Sequence, residues 1–155
     1  MTDRKPPRIS ADEKTTLLGF LNYLRDAIAA KATGEPEPAV RAPGVPSGTS
    51  LLGLIKHLTF VEQFYFQGAE VSNWALTFKP TGEDSVDSVL AGYRQAVAEA
   101  NKVIESCDDL TQPVPSSTKP GPAMRWLLTH MIEETARHAG QADIIREQID
   151  GSTGR

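Results

Sequence analysis

Between Met124 and Ile149 the residues Met124, Leu128, Met131, Thr135, His138, Ala142, Ile145 and Ile149 recur at alternating steps of four and three. That heptad-like spacing keeps one narrow seam on one side of a helix for about seven turns, roughly 40 Å of length. Only other helices lying alongside can bury so long and narrow a stripe. The seam therefore constrains the chain to a helical bundle, and Asp150-Gly151 supplies its stop.

Three further stretches carry the same period. Leu17, Leu21, Leu24 and Ile28 follow S-A-D-E, which offers a capping box from Ser10 to Glu13, and this helix fades at Thr33-Gly34. A second helix starts at Thr49 or Ser50 and places Leu51, Leu54, Leu58, Val61 and Tyr65 on one stripe, with His57 beside it. A third begins at Asp84 or Ser85, repeats Val86, Leu90, Tyr93, Val97, Ala100 and Ile104, and stops around Cys107. The connections TGEPEPAVRAPGVPSG and TQPVPSSTKPGP are too rich in proline and glycine to continue a helix. Residues 68–83 contain an apolar patch, Trp74-Ala75-Leu76, expected to dock on the core without regular structure. No stretch of any length alternates at the strand period. The expectation is an all-α four-helix bundle with long connections after helices 1, 2 and 3. It spans 1–155 as one domain, with 1–9 and 152–155 as flexible tails.

A length of 155 residues suffices for a core without disulfides. The net charge of −4 gives no basic footprint for a nucleic-acid partner. No apolar run approaches the ~20 residues of a membrane span, and MTDRKPPRIS has no apolar region behind its basic residues. A cytoplasmic location with no membrane partner is expected. The single cysteine, Cys107, excludes an intrachain disulfide and a multi-cysteine zinc site. Asp108 and Asp109 after it would raise a thiol pKa, which argues against a nucleophile.

The chain holds only three histidines, and two lie in HMIEETARHAGQ. His130, Glu134 and His138 sit at about 0°, 40° and 80° around their helix, one face climbed by about 6 Å per step. Side chains one turn apart can reach the same divalent ion, which holds for Glu134 with His138 and for His130 with Glu134. A further ligand must come from another helix, and His57 flanks a stripe that faces the same core. A His, His, carboxylate set with open positions suits zinc, nickel, iron or manganese. The competing reading is a polar core network in which the histidines and the glutamate satisfy one another. Glu134 unpaired near the core would cost several kcal/mol in order of magnitude, which favours a compensating ion.

The pattern LLGLIKHL followed by MRWLLTHMIEETARHAGQADIIRE resembles the DinB-like superfamily, in the branch sharing its bundle with the N-terminal domain of mycothiol-dependent maleylpyruvate isomerase. The resemblance runs from the first helix to Gly151. It implies a divalent metal, zinc ahead of nickel, iron or manganese, held by His57, Glu134 and His138. His130 then takes a supporting or core hydrogen-bonding role outside the ligand set. Gln141 departs from relatives that often carry His there. The resemblance further implies an S-transferase or isomerase that activates a low-molecular-weight thiol, of mycothiol or bacillithiol type, for attack on a small electrophile. The partners it implies are that thiol, the electrophile and a second copy of the chain in a homodimer. Two other readings share these residues: a non-catalytic metal- or ligand-binding bundle with a stress or resistance role, and a structural bundle that dimerises through an apolar face. Arg125, Arg137 and Arg146 are candidate anchors for substrate, although exposed charges are more often solvated. Tyr65, Phe66 and Trp126 are candidate pocket walls, although aromatics at helical spacing are more often core.

Overall fold

Helix starts in this chain fall where a side chain or a carbonyl can engage the free amides of a first turn. The computed structural model describes residues 4–115 and 121–154. Helix α1 runs Glu13–Ala32, α2 Glu37–Arg41, α3 Leu51–Gln67, α4 Trp74–Thr77, α5 Val86–Glu105 and α6 Met124–Asp150. Ser50 caps α3 by accepting from the Gly53 amide at 3.1 Å. Ser85 and Ser88 cap α5 reciprocally, at 3.0 and 2.8 Å. Among the described residues no side chain caps α6; its first amides, of Met124 and Arg125, donate to the carbonyls of Gln112 and Leu110, both at 2.9 Å. Gly151 closes α6 at φ 76°, a left-handed conformation that glycine adopts without a Cβ penalty.

The cap of α1 is Asp12, not Ser10. Its carboxylate accepts from the Thr15 amide at 3.0 Å and from the Thr15 hydroxyl at 2.7 Å. Glu13, expected to close a box with Ser10, instead binds Arg125 at 2.7 and 3.0 Å. An anionic acceptor at a helix N-terminus also meets the positive end of the helix dipole, which a serine does not exploit. Two short helices, α2 and α4, stand where irregular connections were expected. Pro36 and Pro38 open α2, at positions where a missing amide hydrogen costs nothing. Asn73 caps α4 through the Ala75 amide at 3.0 Å. Residues 116–120, in the middle of the third connection, lie outside the described residues, as do 1–3 and 155 in the expected tails.

The molecule is an all-α bundle, and among the described residues the only extended pairing is an isolated bridge between Pro113 and Ala123. Helix α1 packs chiefly on α6 and α3 on α5, with α3 also touching α6. The apolar core falls into two halves. One gathers Ile28, Leu51, Leu54, Leu58, Leu90, Tyr93 and Ile145, and the other Leu21, Val61, Phe66, Ile104, Leu128 and Met131. Polar groups occupy the level between them. Arg25 lies between Leu21 and Ile28 on α1 and forms a two-pronged pair with Glu62 of α3 at 2.7 and 2.6 Å, both side chains almost fully buried. The side-chain carbonyl oxygens of Asn22 and Asn101 accept from its Nη1 at 2.9 and 2.8 Å. Thr135 of α6 is fully buried at the corresponding turn. At this level α3 and α6 bring their histidines together.

Candidate metal centre

His57 follows Gly53 by one turn of α3, and its ring leans on the α4 segment. Its Nδ1 lies 2.7 Å from the Thr77 hydroxyl, which donates its own proton to the Trp74 carbonyl at 2.6 Å. That hydroxyl can only accept from the ring, so Nδ1 carries the hydrogen. His138 of α6 has its Nδ1 2.8 Å from Gln141 Oε1, an acceptor, so the same tautomer holds there. Each neutral ring is left with a bare Nε2. Both bare nitrogens face one oxygen, Glu134 Oε1, at 3.3 Å from His57 and 3.1 Å from His138.

A carboxylate oxygen and two unprotonated nitrogens are all acceptors, and their convergence requires a proton or a cation among them. Burial pushes His57 down to about 4, the neighbouring Glu134 carboxylate only partly opposing, which removes a protonated His57 as the ordinary answer near neutral pH. Burial also works against ionisation of Glu134, but the imidazoles of His57 and His138 beside it outweigh that and hold the carboxyl below its usual range. One donor atom from each residue lies within 4.8 Å of the other two, a spacing that admits a single divalent ion. Side-chain partners on the far nitrogens, Thr77 and Gln141, orient both rings in the manner of second-layer contacts in metal sites. The donor set thus fits a divalent metal.

Aromatic rings fix the histidines from the sides. Phe78 stacks on His57 at 3.7 Å between centroids and meets His138 edge-on at 5.6 Å. The two imidazoles are 5.0 Å apart, and Trp74 closes on His57 edge-on at 5.9 Å. Gly53 permits this arrangement, since a Cβ there would stand 2.2 Å from the Phe78 carbonyl oxygen. The site opens through a cleft of about 220 Å³ lined by His57, Val61, Tyr65, Trp74, His130 and Glu134.

The structure brings His57, Glu134 and His138 together and leaves His130 one turn away at the cleft wall. The His130 ring stacks on Trp126 at 5.0 Å, meets Tyr65 edge-on at 5.2 Å, and has Nδ1 3.8 Å from Glu133. Of the other candidates, Tyr65 lines the cleft, Trp126 borders it through His130, and Phe66 is core. The arginines are engaged elsewhere: Arg125 with Glu13, Arg137 with Glu133, and Arg146 with Glu35, Asp150 and the Lys31 carbonyl. Cys107 lies outside the site, its thiol directed to the Asp109 carbonyl at 3.3 Å. Thr77 and Phe78 were not foreseen; nothing in the sequence links them to a histidine twenty residues earlier.

Among the described residues no helix is long and apolar enough to cross a membrane. No curated protein matches the chain. A family model described as Mycothiol-S-transferase matches residues 16–151, a span that contains the three clustered donors and every helix but the first turn of α1. The chain therefore belongs to the mycothiol-S-transferase family, a DinB-like family, as its two histidine-bearing helices lead one to expect.

Proposed function

We propose that this chain is a divalent-metal-dependent S-transferase that uses a low-molecular-weight thiol of the mycothiol type against a small electrophile. His57, Glu134 and His138 hold the ion, with zinc the best fit to two imidazoles and a carboxylate, and His130 supports the site from outside the ligand set. The observation that carries this reading is the convergence of two bare Nε2 atoms on one carboxylate oxygen beside an open cleft. When bound, the cation supplies a positive charge that lowers the pKa of a coordinated thiol, so that a thiolate is available at neutral pH.

The protein's own residues do the rest. Thr77 and Gln141 hold both rings in the ligating tautomer. Phe78 fixes the His57 plane, and Gly53 lets Phe78 approach. The cleft admits the electrophile from the side of Trp74 and Tyr65. No protein cysteine or base at the site is required to generate the nucleophile.

The test is turnover. Zinc-loaded protein, mycothiol and an alkyl halide are incubated and free thiol is followed over time. Thiol should disappear in proportion to electrophile through many equivalents, and His57→Ala should lower the rate at least about a hundredfold. Saturation at a fixed stoichiometry of protein would instead favour a non-catalytic ligand-binding bundle.

A further inference from the structure

Both tryptophans of the chain, Trp74 and Trp126, stand beside the cleft, together with exposed phenylalanine surface. The rings form a continuous series. Trp74 meets Phe64 edge-on at 5.2 Å, Phe64 meets Tyr65 at 5.1 Å, Tyr65 meets His130 at 5.2 Å, and His130 stacks on Trp126 at 5.0 Å. Trp74, Phe64 and Trp126 remain 38%, 40% and 52% exposed, well above what large apolar side chains show inside a core. An apolar series of this kind beside a reactive centre offers flat faces to a ligand, in either stacked or edge-on contact.

Charge narrows the ligand further. Among the described residues that line the cleft there is no lysine or arginine, and Glu134 is its one acidic group. Lys56, adjacent to His57, turns to Asp84 at 2.8 Å, and Arg137, adjacent to His138, turns to Glu133 at 2.6 Å. Apart from the ion that His57, Glu134 and His138 would hold, whose charge the Glu134 carboxylate offsets in part and a coordinated thiolate would offset further, a ligand's anionic group would find no cation to pair with there.

We infer that the cleft selects a planar, uncharged aromatic electrophile, seated against Trp74 and the Tyr65 and His130 rings, and discriminates against anionic ones. The word electrophile rests on the transferase reading; the ligand class does not.

Trp126→Phe leaves Trp74 as the sole tryptophan, so its fluorescence reports the cleft directly. Zinc-loaded Trp126→Phe protein is titrated with para-nitrobenzyl alcohol and, separately, with para-nitrobenzenesulfonate, which carries a charge yet is a weak metal ligand. The alcohol should quench saturably and bind at least about tenfold tighter than the sulfonate. Calorimetry on Trp74→Leu should show the alcohol weakened about tenfold with zinc content unchanged. Equal or tighter binding of the sulfonate, an unweakened alcohol in Trp74→Leu, or no saturable quenching would overturn the inference. Thiol consumption from para-nitrobenzyl chloride and a sulfonated benzyl chloride, each normalised to its uncatalysed rate, separates the two readings. Selective alcohol binding without thiol consumption sinks the transferase reading alone. Equal acceleration of both chlorides sinks the inference alone.

Discussion

Replacing Gly53 with alanine should destabilise this protein, although the same change normally strengthens a helix. Alanine is favoured over glycine by up to about 1 kcal/mol in a helix interior. At Gly53 the new Cβ would lie 2.2 Å from the Phe78 carbonyl oxygen, 3.2 Å from its carbon and 3.0 Å from the capping hydroxyl of Ser50. Backbone must move to relieve the closest of these, at a cost of about 2–3 kcal/mol for overpacking. The net effect is a loss of about 1–2 kcal/mol. Because Thr77 and Phe78 move together, zinc affinity should fall about tenfold through the loosened His57 ring. Gly92 in α5 and Gly140 in α6 provide internal controls, since a Cβ at either meets nothing within 4 Å. Urea denaturation of the three variants, with zinc binding measured alongside, compares them directly. The controls should gain about 0.5–1 kcal/mol. A Gly53→Ala protein that gains stability with them, at unchanged zinc affinity, would refute the packing argument.

Truncating Glu62→Ala leaves Arg25 charged and buried, and should cost about 3–5 kcal/mol in urea denaturation; Arg25→Met with Glu62→Leu should cost far less than the two single changes together. The metal-free protein should weaken in acid, because His57 is neutral when folded and its folded pKa, about 4, lies below the ordinary histidine value of 6.5. Its contribution is fully present above 6.5, is lost as pH falls towards 4, and amounts to at most about 3 kcal/mol, less whatever solvent in the cleft screens. Denaturation midpoints of metal-free protein at several pH values across that window test this, and His57→Phe should flatten the profile. Thr77→Val removes the acceptor for His57 Nδ1 while keeping the side-chain shape, and should weaken zinc binding about 10–100-fold in a competition titration.

The helices were legible because period and caps agree locally. Ser50, Ser85 and Gly151 act as their chemistry suggests, and the α6 seam buries Met124, Leu128, Met131, Thr135, His138, Ala142 and Ile145. Ser10 misled because S-A-D-E contains two competent caps and only tertiary geometry selects between them. Helices α2 and α4 are too short to show a period. In α1 the pattern pointed to Leu24, yet the helix buries Arg25, whose partner Glu62 is thirty-seven residues away. A buried ion pair has no local signature. The same limit applies at the candidate metal centre. His57, Glu134 and His138 could be grouped from helix faces and family resemblance, whereas Thr77 and Phe78 reach His57 only because the chain after α3 folds back over Gly53.

The most direct test of the account is the metal itself. Purified protein is supplied with zinc, dialysed and analysed by elemental mass spectrometry, beside His138→Ala and His130→Ala. The account predicts near-stoichiometric zinc in the unmodified protein and in His130→Ala, and its loss in His138→Ala. Zinc absent from the unmodified protein after loading, or retained in full by His138→Ala, would contradict it and leave the cluster as a polar network closed by a shared proton.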